Sequence, residues 1–120
     1  MEINKINNLL ELFYKQYLTQ DKTSVFLQSL KEVEKKYSWE DVYSNIIKLF
    51  EEISKYIKKG DRCLLISENR PEWMISDLSI MLSGGITVPA YTTYTERDYE
   101  YIIDDCSPTV LIISDKTQYL

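Results

Sequence analysis

Histidine is absent from this sequence of 120 residues, and glycine, proline and cysteine are scarce, with three, three and two residues respectively. Without histidine the chain lacks the usual general base, the usual metal ligand and the side chain that titrates near neutrality without perturbation. Catalysis of the Ser-His-Asp or Cys-His type therefore cannot be built from this chain alone. Apolar runs of about 18 residues are also missing, which predicts that no transmembrane helix is present.

Basic residues are outnumbered as well, because the chain has 14 lysines and arginines and 19 acidic residues, which give a formal net charge of -5. Nucleic-acid backbones bind net basic surfaces, so this balance argues against nucleic acid as a partner. The start, Met-Glu-Ile-Asn-Lys, has neither the basic residues nor the apolar stretch of a signal peptide. We expect a cytoplasmic protein whose membrane contact is at most peripheral, since no basic amphipathic helix stands out.

The two cysteines, Cys63 and Cys106, are too far apart for a CxxC redox or zinc motif. Cys63 precedes Leu64, and Cys106 shortly follows Ile103, so each lies near apolar residues. Free cysteine often behaves as a small buried hydrophobe, and disulfides are rare in a reducing compartment. We therefore expect two buried thiols with no disulfide between them.

The composition is typical of one globular domain, with 44% hydrophobic and 28% charged residues. The apolar spacing of residues 8–18 predicts an amphipathic helix, and residues 23–27 are the best strand candidate of the first half. For residues 31–36 two interpretations stay open, a charged hairpin tip and a short exposed helix. We describe residues 1–37 as a leader made of a helix and a strand.

The most strongly periodic segment is a predicted helix over residues 39–57, whose apolar residues form one stripe. Ser38 and Asp41 stand three residues apart at its start, where a hydroxyl and an acid can cap free amides. Gly60 follows a lysine-rich turn and is expected to supply a left-handed stop. The pattern indicates a helix whose role is packing.

After Gly60 short strands alternate with short helices. The strands are predicted over residues 61–67, 86–88 and 109–113, and Pro89 closes the second of them. The third has a continuous apolar character, which is typical of a strand buried on both faces of a parallel sheet.

Helices fill the two intervals between these strands. Pro71 suits the first position of a helix that includes residues 73–82 and that Gly84-Gly85 end. A second helix begins at Thr95, with Asp98 three residues later, and runs to about residue 105. The fold class is therefore α/β, an N-terminal helical segment followed by a β-α-β-α-β parallel-sheet unit. Few helices are available to cover this sheet, which predicts an incomplete part of a larger domain.

Ligands of open α/β sheets bind beyond the carboxyl ends of the strands. None of the loops at that position carries the glycines of a phosphate cradle. Glu68, Arg70 and Glu72 either form a small charged site or begin a helix whose positive end Glu72 complements. The three loops at this edge are residues 67–70, 90–95 and 114–116.

The loop Tyr91-Thr92-Thr93-Tyr94 also has two open interpretations, the lining of an apolar pocket and an exposed connection. Asp77 lies within a helix between two methionines and is expected to face solvent. Residues 114–116 are expected to cap a further helix. These patterns assign no catalytic, cofactor-binding or metal-binding residue.

Residues 60–73, Gly-Asp-Arg-Cys-Leu-Leu-Ile-Ser-Glu-Asn-Arg-Pro-Glu-Trp, resemble the GDRVAILSENRPEW stretch of AMP-forming acyl-CoA synthetases. The resemblance continues through Gly-Gly-Ile-Thr-Val-Pro at residues 84–89. Residues 37–42 are similar to the family's Y-T-W-x-E-V lead into its first long helix. The Tyr-Thr-Thr after the second proline looks most like the long-chain fatty acid–CoA ligase branch. As a set, these segments over residues 37–115 are specific to the superfamily.

The resemblance implies an enzyme that activates a fatty acid with Mg-ATP to an acyl-adenylate and then transfers the acyl group to coenzyme A. Residues 38–120 would be part of its adenylation domain. The family's phosphate loop ending in Pro-Lys-Gly, its Tyr-Gly-x-Thr-Glu segment, its ribose-binding aspartate and its C-terminal lysine have no counterpart here. No catalytic residue carries over, so the chain alone is expected to be inactive, to bind no cofactor and to partner the remainder of the adenylation domain.

Two other functions stay open on the sequence. A non-catalytic binding or interaction module could reuse the same α/β scaffold. A complete flavodoxin-like domain would need a phosphate loop after its first parallel strand, which residues 67–70 do not supply. The exposed edge expected at residues 109–113 predicts marginal stability for the chain by itself.

Overall fold

The computed structural model describes residues 7–32 and 34–115. The α/β class and the β-α-β-α-β order of the second half are confirmed. The elements follow one another as α1 (Leu9–Thr19), β1 (Val25–Gln28), β2 (Lys36–Ser38), α2 (Trp39–Ile53), β3 (Arg62–Ile66), α3 (Pro71–Leu82), β4 (Ile86–Ala90), α4 (Glu96–Cys106) and β5 (Val110–Ile113).

A three-stranded sheet lies at the centre, with β3 between β4 and β5. Both pairs are parallel, and Leu64 of β3 stands opposite Val88 on one side and Leu111 on the other. Parallel neighbours require crossover connections, which α3 provides between β3 and β4 and α4 provides between β4 and β5. The predicted parallel sheet is confirmed, and its most thoroughly buried strand, β3, is the middle one.

The strands β1 and β2 form a separate antiparallel hairpin whose register is irregular between Val25 and Leu27. The Ser29 N–H donates to the Lys35 carbonyl at 3.0 Å, and the Lys35 N–H donates to the Glu32 carbonyl at 2.8 Å. Of the two interpretations left open for this segment, the hairpin is therefore the correct one for the residues described.

The start of α2 is capped as its sequence predicts. Ser38 Oγ accepts from the Asp41 N–H at 3.0 Å, and Asp41 Oδ2 accepts from the Ser38 N–H at 2.9 Å. This reciprocal pair satisfies two amides that have no partner within the helix. The confirmed capping box places the hairpin directly beside the first turn of α2.

The end of α2 was predicted incorrectly, because the helix stops at Ile53 and not at residue 57. A tight turn follows, in which the Tyr56 N–H donates to the Ile53 carbonyl at 3.0 Å. Ile57 remains buried beside Ile53, so the apolar stripe continues although the helix does not. Gly60 has a φ of +87° as expected, but it belongs to the turn before β3, where its N–H donates to the Gly84 carbonyl at 2.9 Å.

The end of α3 agrees with the prediction for Gly84-Gly85. The Gly84 N–H donates to the Met81 carbonyl and the Gly85 N–H donates to the Ile80 carbonyl, each at 3.0 Å. Gly84 has a φ of +83°, a left-handed conformation that side chains disfavour. This paired arrangement ends the helix and turns the chain into β4.

The core consists of three groups of buried side chains. The first joins α1, α2 and α3, and the other two cover opposite faces of the sheet. Phe13, Val42, Ile46, Ile75 and Leu78 form the first group. Helix α3 is therefore packed against helices on one side and against the sheet on the other.

Two predictions about the outer strands need correction. β4 continues through Pro89 to Ala90, because a proline on an edge strand removes no hydrogen bond that the sheet needs. β5 is not buried on both faces, since Leu111 is 43% exposed. The reason is that the buried group on this face is formed by Leu64, Ile66 and Ala90 with their neighbours and does not include Leu111.

Candidate functional site

The loops that follow β3, β4 and β5 meet at the carboxyl edge of the sheet. The Ser114 N–H donates to the Ile66 carbonyl at 3.0 Å, which holds the end of β5 against the end of β3. A cleft of about 600 Å³ lies between the loops after β3 and β4. Its lining consists of Ser67, Glu68, Asn69, Trp73, Pro89, Ala90, Tyr91, Thr92, Thr93 and Tyr94.

One wall of the cleft is aromatic. The rings of Tyr91 and Tyr94 are 5.3 Å apart and nearly perpendicular, at 83°. Tyr99 of α4 donates its hydroxyl hydrogen to the Tyr91 carbonyl at 2.5 Å, which anchors this loop to the helix. Both open interpretations of the loop hold in part, because it lines the cleft while Tyr91 stays 69% exposed.

A row of charged and polar side chains crosses the same edge, and we call Ser114, Glu68, Arg70, Glu72 and Lys35 the Arg70 bridge. Ser114 Oγ donates to Glu68 Oε2 at 2.7 Å, and Arg70 Nη1 donates to Glu68 Oε1 at 2.8 Å. On its other side Arg70 Nε donates to Glu72 Oε2 at 3.3 Å, and Lys35 Nζ pairs with Glu72 Oε1. The bridge connects β5, the β3–α3 loop and the hairpin.

The contacts in the bridge keep its carboxylates ionised. The Ser114 hydroxyl lowers the pKa of Glu68 from its ordinary value. Burial raises the pKa of Glu72, but the hydrogen bond from Lys35 and the charge of Arg70 outweigh it and leave the pKa below its ordinary value. Two anions are therefore matched by two cations at neutral pH.

The bridge adds little to folding stability. Its charged side chains are between 30% and 40% exposed. Ion pairs with that much solvent contact contribute about 0.2–1 kcal/mol each, because water and salt screen them. Their main structural effect is to orient the loop between β3 and α3.

Of the two interpretations offered for Glu68, Arg70 and Glu72, the start of a helix is confirmed. Arg70 is the residue before the first turn of α3, Pro71 occupies the first helical position, and Glu72 lies in the first turn. The same three side chains form the charged cluster. Lys35 and Ser114 were not predicted as members, because each is more than 30 residues from its partner in the chain.

The prediction for Asp77 is wrong, since this residue is only 8% exposed. Ser76 and Ser79, which flank it on α3, are buried as well. Helices cover α3 on one side and the sheet covers it on the other, so few of its positions reach solvent. Asp77 is not among the residues that line the cleft.

The two cysteines are free, as predicted, but their environments differ. Cys63 is fully buried in β3, and burial raises its pKa to about 11. Cys106, at the end of α4, is only partly buried. The expectation of two buried thiols is thus confirmed for Cys63 alone.

We expect a thiol reagent such as iodoacetamide to modify Cys106 first in the folded chain. A pKa near 11 leaves Cys63 with about 100-fold less thiolate than an ordinary thiol, and the thiolate is the reactive form. Timed labelling followed by peptide mass spectrometry measures both rates. The urea-unfolded chain is the control, in which both sites react at similar rates. Equal rates in the folded chain would contradict the prediction.

The described residues contain no group of three or more cysteine, aspartate and glutamate side chains arranged to hold a metal ion. Glu68, which lines the cleft, and Glu72, which lies beside it in the bridge, have their oxygens engaged by bridge partners. In addition, no helix in the described part of the chain is long and apolar enough to cross a membrane.

Solved structures with this arrangement are adenylate-forming enzymes. The anthranilate CoA ligase AuaEII, solved with anthranoyl-AMP, superposes with a TM-score of 0.80 at 20% identity, over 94% of this chain and 22% of its own. The fatty acid AMP ligase of Legionella pneumophila gives a TM-score of 0.80 at 19% identity, over 97% of this chain and 21% of its own. The fold is that of the N-terminal domain of adenylate-forming ligases.

The sequence comparisons identify the family. The model of the AMP-binding enzyme family matches residues 15–119, and this chain belongs to that family. A long-chain-fatty-acid–CoA ligase of Bacillus subtilis is 32% identical over 82 residues, which is 68% of this chain and 15% of the relative. A long-chain-fatty-acid–CoA ligase of Mycobacterium tuberculosis is 36% identical over 59 residues, 49% of this chain and 10% of the relative. The chain therefore spans a small part of each relative's length.

Proposed function

We propose that the chain is the N-terminal part of a long-chain fatty acid–CoA ligase. The reaction would join a fatty acid to AMP at the expense of ATP and then transfer the acyl group to coenzyme A. A carboxylate is a poor electrophile, and an acyl-adenylate provides it with a good leaving group. The observation that supports the proposal most strongly is the 82-residue match to the Bacillus subtilis protein, whose name is long-chain-fatty-acid–CoA ligase.

Within such an enzyme this chain would supply scaffold and one wall of the ligand site. Ligands of open α/β sheets bind at the carboxyl ends of the strands, where the 600 Å³ cleft lies. We assign no catalytic, cofactor-binding or metal-binding residue to the chain. ATP, Mg²⁺ and coenzyme A would be held by the remainder of the adenylation domain, because the carboxylates at this edge already pair with the bridge cations.

The proposed organisation divides the chain into a leader, residues 1–37, and a partial adenylation domain, residues 38–120. The family match supports the second unit and also reaches back into the leader, to residue 15. We further propose a cytoplasmic location with at most peripheral membrane contact.

ATP–pyrophosphate exchange in the presence of palmitate tests this function. We expect no exchange above blank with the purified chain, because no residue in it is assigned to phosphate chemistry. We expect exchange from a hybrid in which this chain replaces the matching segment of the Bacillus subtilis ligase. The same ligase with that segment deleted is the control.

Each arm of this experiment has an outcome that contradicts the proposal. Exchange by the purified chain alone would show that catalytic groups are present in it. A hybrid that folds but does not exchange would show that the segment is not interchangeable with a ligase segment. The alternative function, a non-catalytic binding module that uses the cleft, would then be preferred.

A further inference from the structure

The cleft contains a single charged side chain among its described lining residues, the carboxylate of Glu68. Its other walls are aromatic rings, hydroxyls, an amide and apolar carbons. Both oxygens of Glu68 are engaged, one by the Ser114 hydroxyl and one by the Arg70 guanidinium. Arg70 is therefore the cation that determines how much negative charge the cleft presents.

The negative net charge of the chain adds to the effect of the Glu68 carboxylate. The chain has a formal net charge of -5, so an approaching anion meets a repulsive background. The reactants of the proposed ligase, a fatty acid carboxylate and ATP, are anions. An uncompensated carboxylate in the cleft would add to that repulsion, because Coulomb energies between unit charges remain significant over about one Debye length.

The loop that carries Glu68 also separates two cavities. The cleft lies on one side, and a second cavity of about 560 Å³ lies on the side of the hairpin. Glu68, Asn69 and Trp73 line both. The contact with Arg70 sets the orientation of Glu68. It therefore determines which of the two cavities the carboxylate faces.

We propose that Arg70 is a positioning residue that admits anionic ligands to the cleft by holding and neutralising Glu68. Arg70 acts through Glu68 and is not among the residues that line the cleft. The identity of the anion rests on the proposed function, whereas the effect of Arg70 on small anions does not.

Collisional quenching of Trp73 fluorescence measures anion access to the two cavities that Trp73 lines, and the Glu68 variants assign the effect to Glu68. Trp73 lines the cleft, and the only other tryptophan is Trp39, so a Trp39→Phe background isolates its emission. Iodide, caesium and acrylamide then report the access of an anion, a cation and a neutral molecule. The measurements are made at constant ionic strength and need neither ATP nor fatty acid.

In this background we expect Arg70→Met to lower the iodide quenching constant about twofold and to raise the caesium constant about twofold. The acrylamide constant stays unchanged, and Arg70→Lys, which keeps the charge, stays close to the parent. Glu68→Gln added to Arg70→Met restores the parental ratio of iodide to caesium quenching. This reversal distinguishes neutralisation of Glu68 from a merely structural role of Arg70.

Arg62→Met is the matched control, because it removes the same charge at the opposite end of the sheet. Arg62 begins β3 and donates to the Cys106 carbonyl at 2.7 Å. The control should leave the iodide-to-caesium ratio of Trp73 unchanged.

The proposal is overturned if Arg70→Met leaves the ratio unchanged, if Glu68→Gln does not reverse its fall, or if Arg62→Met lowers it equally. Circular dichroism checks that each variant is folded. If Arg70→Met does not fold, Glu68→Gln alone decides, since it must raise the ratio about twofold. A negative result in the quenching experiment does not change the result expected from ATP–pyrophosphate exchange, so the two proposals can fail separately.

Discussion

Leu64→Ala is expected to lower the free energy of unfolding by about 3–5 kcal/mol, the range for a large side chain removed from a core that cannot collapse. Leu64 is fully buried in the central strand β3, between the sheet and α4. Ile66 and Ala90 pack with it, and partners on both neighbouring strands hold its backbone in place. Urea unfolding followed by circular dichroism measures the change.

Leu111→Ala is the matched control for this substitution. Leu111 is the direct partner of Leu64 in the parallel register of β3 and β5, but it is 43% exposed. Both substitutions delete the same atoms at directly neighbouring positions of one sheet, so the two variants differ mainly in how buried the leucine is. We expect a loss of less than about 1 kcal/mol for Leu111→Ala. Equal losses would mean that β3 is not the buried centre of the sheet.

Phe13→Ala is expected to have an effect of similar size, about 3–5 kcal/mol. Phe13 is 6% exposed, and its ring centroid lies 5.9 Å from those of both Phe26 and Trp39. It also belongs to the group of buried side chains that includes Val42 and Leu78. A substitution in α1 should therefore destabilise α2 and α3 together with the hairpin, in one unfolding transition.

Tyr14→Ala, at the next position of α1, is the control for the aromatic deletion. Tyr14 is 48% exposed, so we expect a loss below about 1 kcal/mol. Probes that follow separate regions, such as Trp39 emission and amide exchange in β3, should report the same midpoint for Phe13→Ala. Two separate midpoints, with only the first one shifted, would instead indicate that the leader unfolds independently of the sheet.

Local signals in the sequence predicted most of the fold correctly. The capping boxes at Ser38 and Thr95 and the glycine stop after α3 involve residues no more than five positions apart. The end of α2 was missed because its apolar stripe continues to Ile57 after the helix has stopped. Periodicity indicates which residues are buried, and Ile57 is buried in the turn that follows the helix, where its N–H still donates to the Ile53 carbonyl at 3.1 Å.

The candidate site was only partly predictable. Glu68, Arg70 and Glu72 are close in the chain, and their charges alone indicated a cluster. The contribution of Lys35 and that of Ser114 depend on the hairpin and β5 reaching the same edge of the sheet. The burial of Asp77 depends likewise on partners from distant segments, although the apolar residues on all sides of α3 were a local sign that the helix is covered.

By itself the sequence determined the α/β class, the order of the elements and the loops at the carboxyl edge, and its motifs indicated the family. Caps, turns and hydrophobic periodicity act over a few residues, so they can be read along the chain. Only the tertiary structure decided that Ser114 contacts Glu68 and that Lys35 contacts Glu72, which complete the bridge at the edge of the cleft. Those contacts join segments up to 46 residues apart, and no local pattern encodes a distance that arises when the sheet assembles.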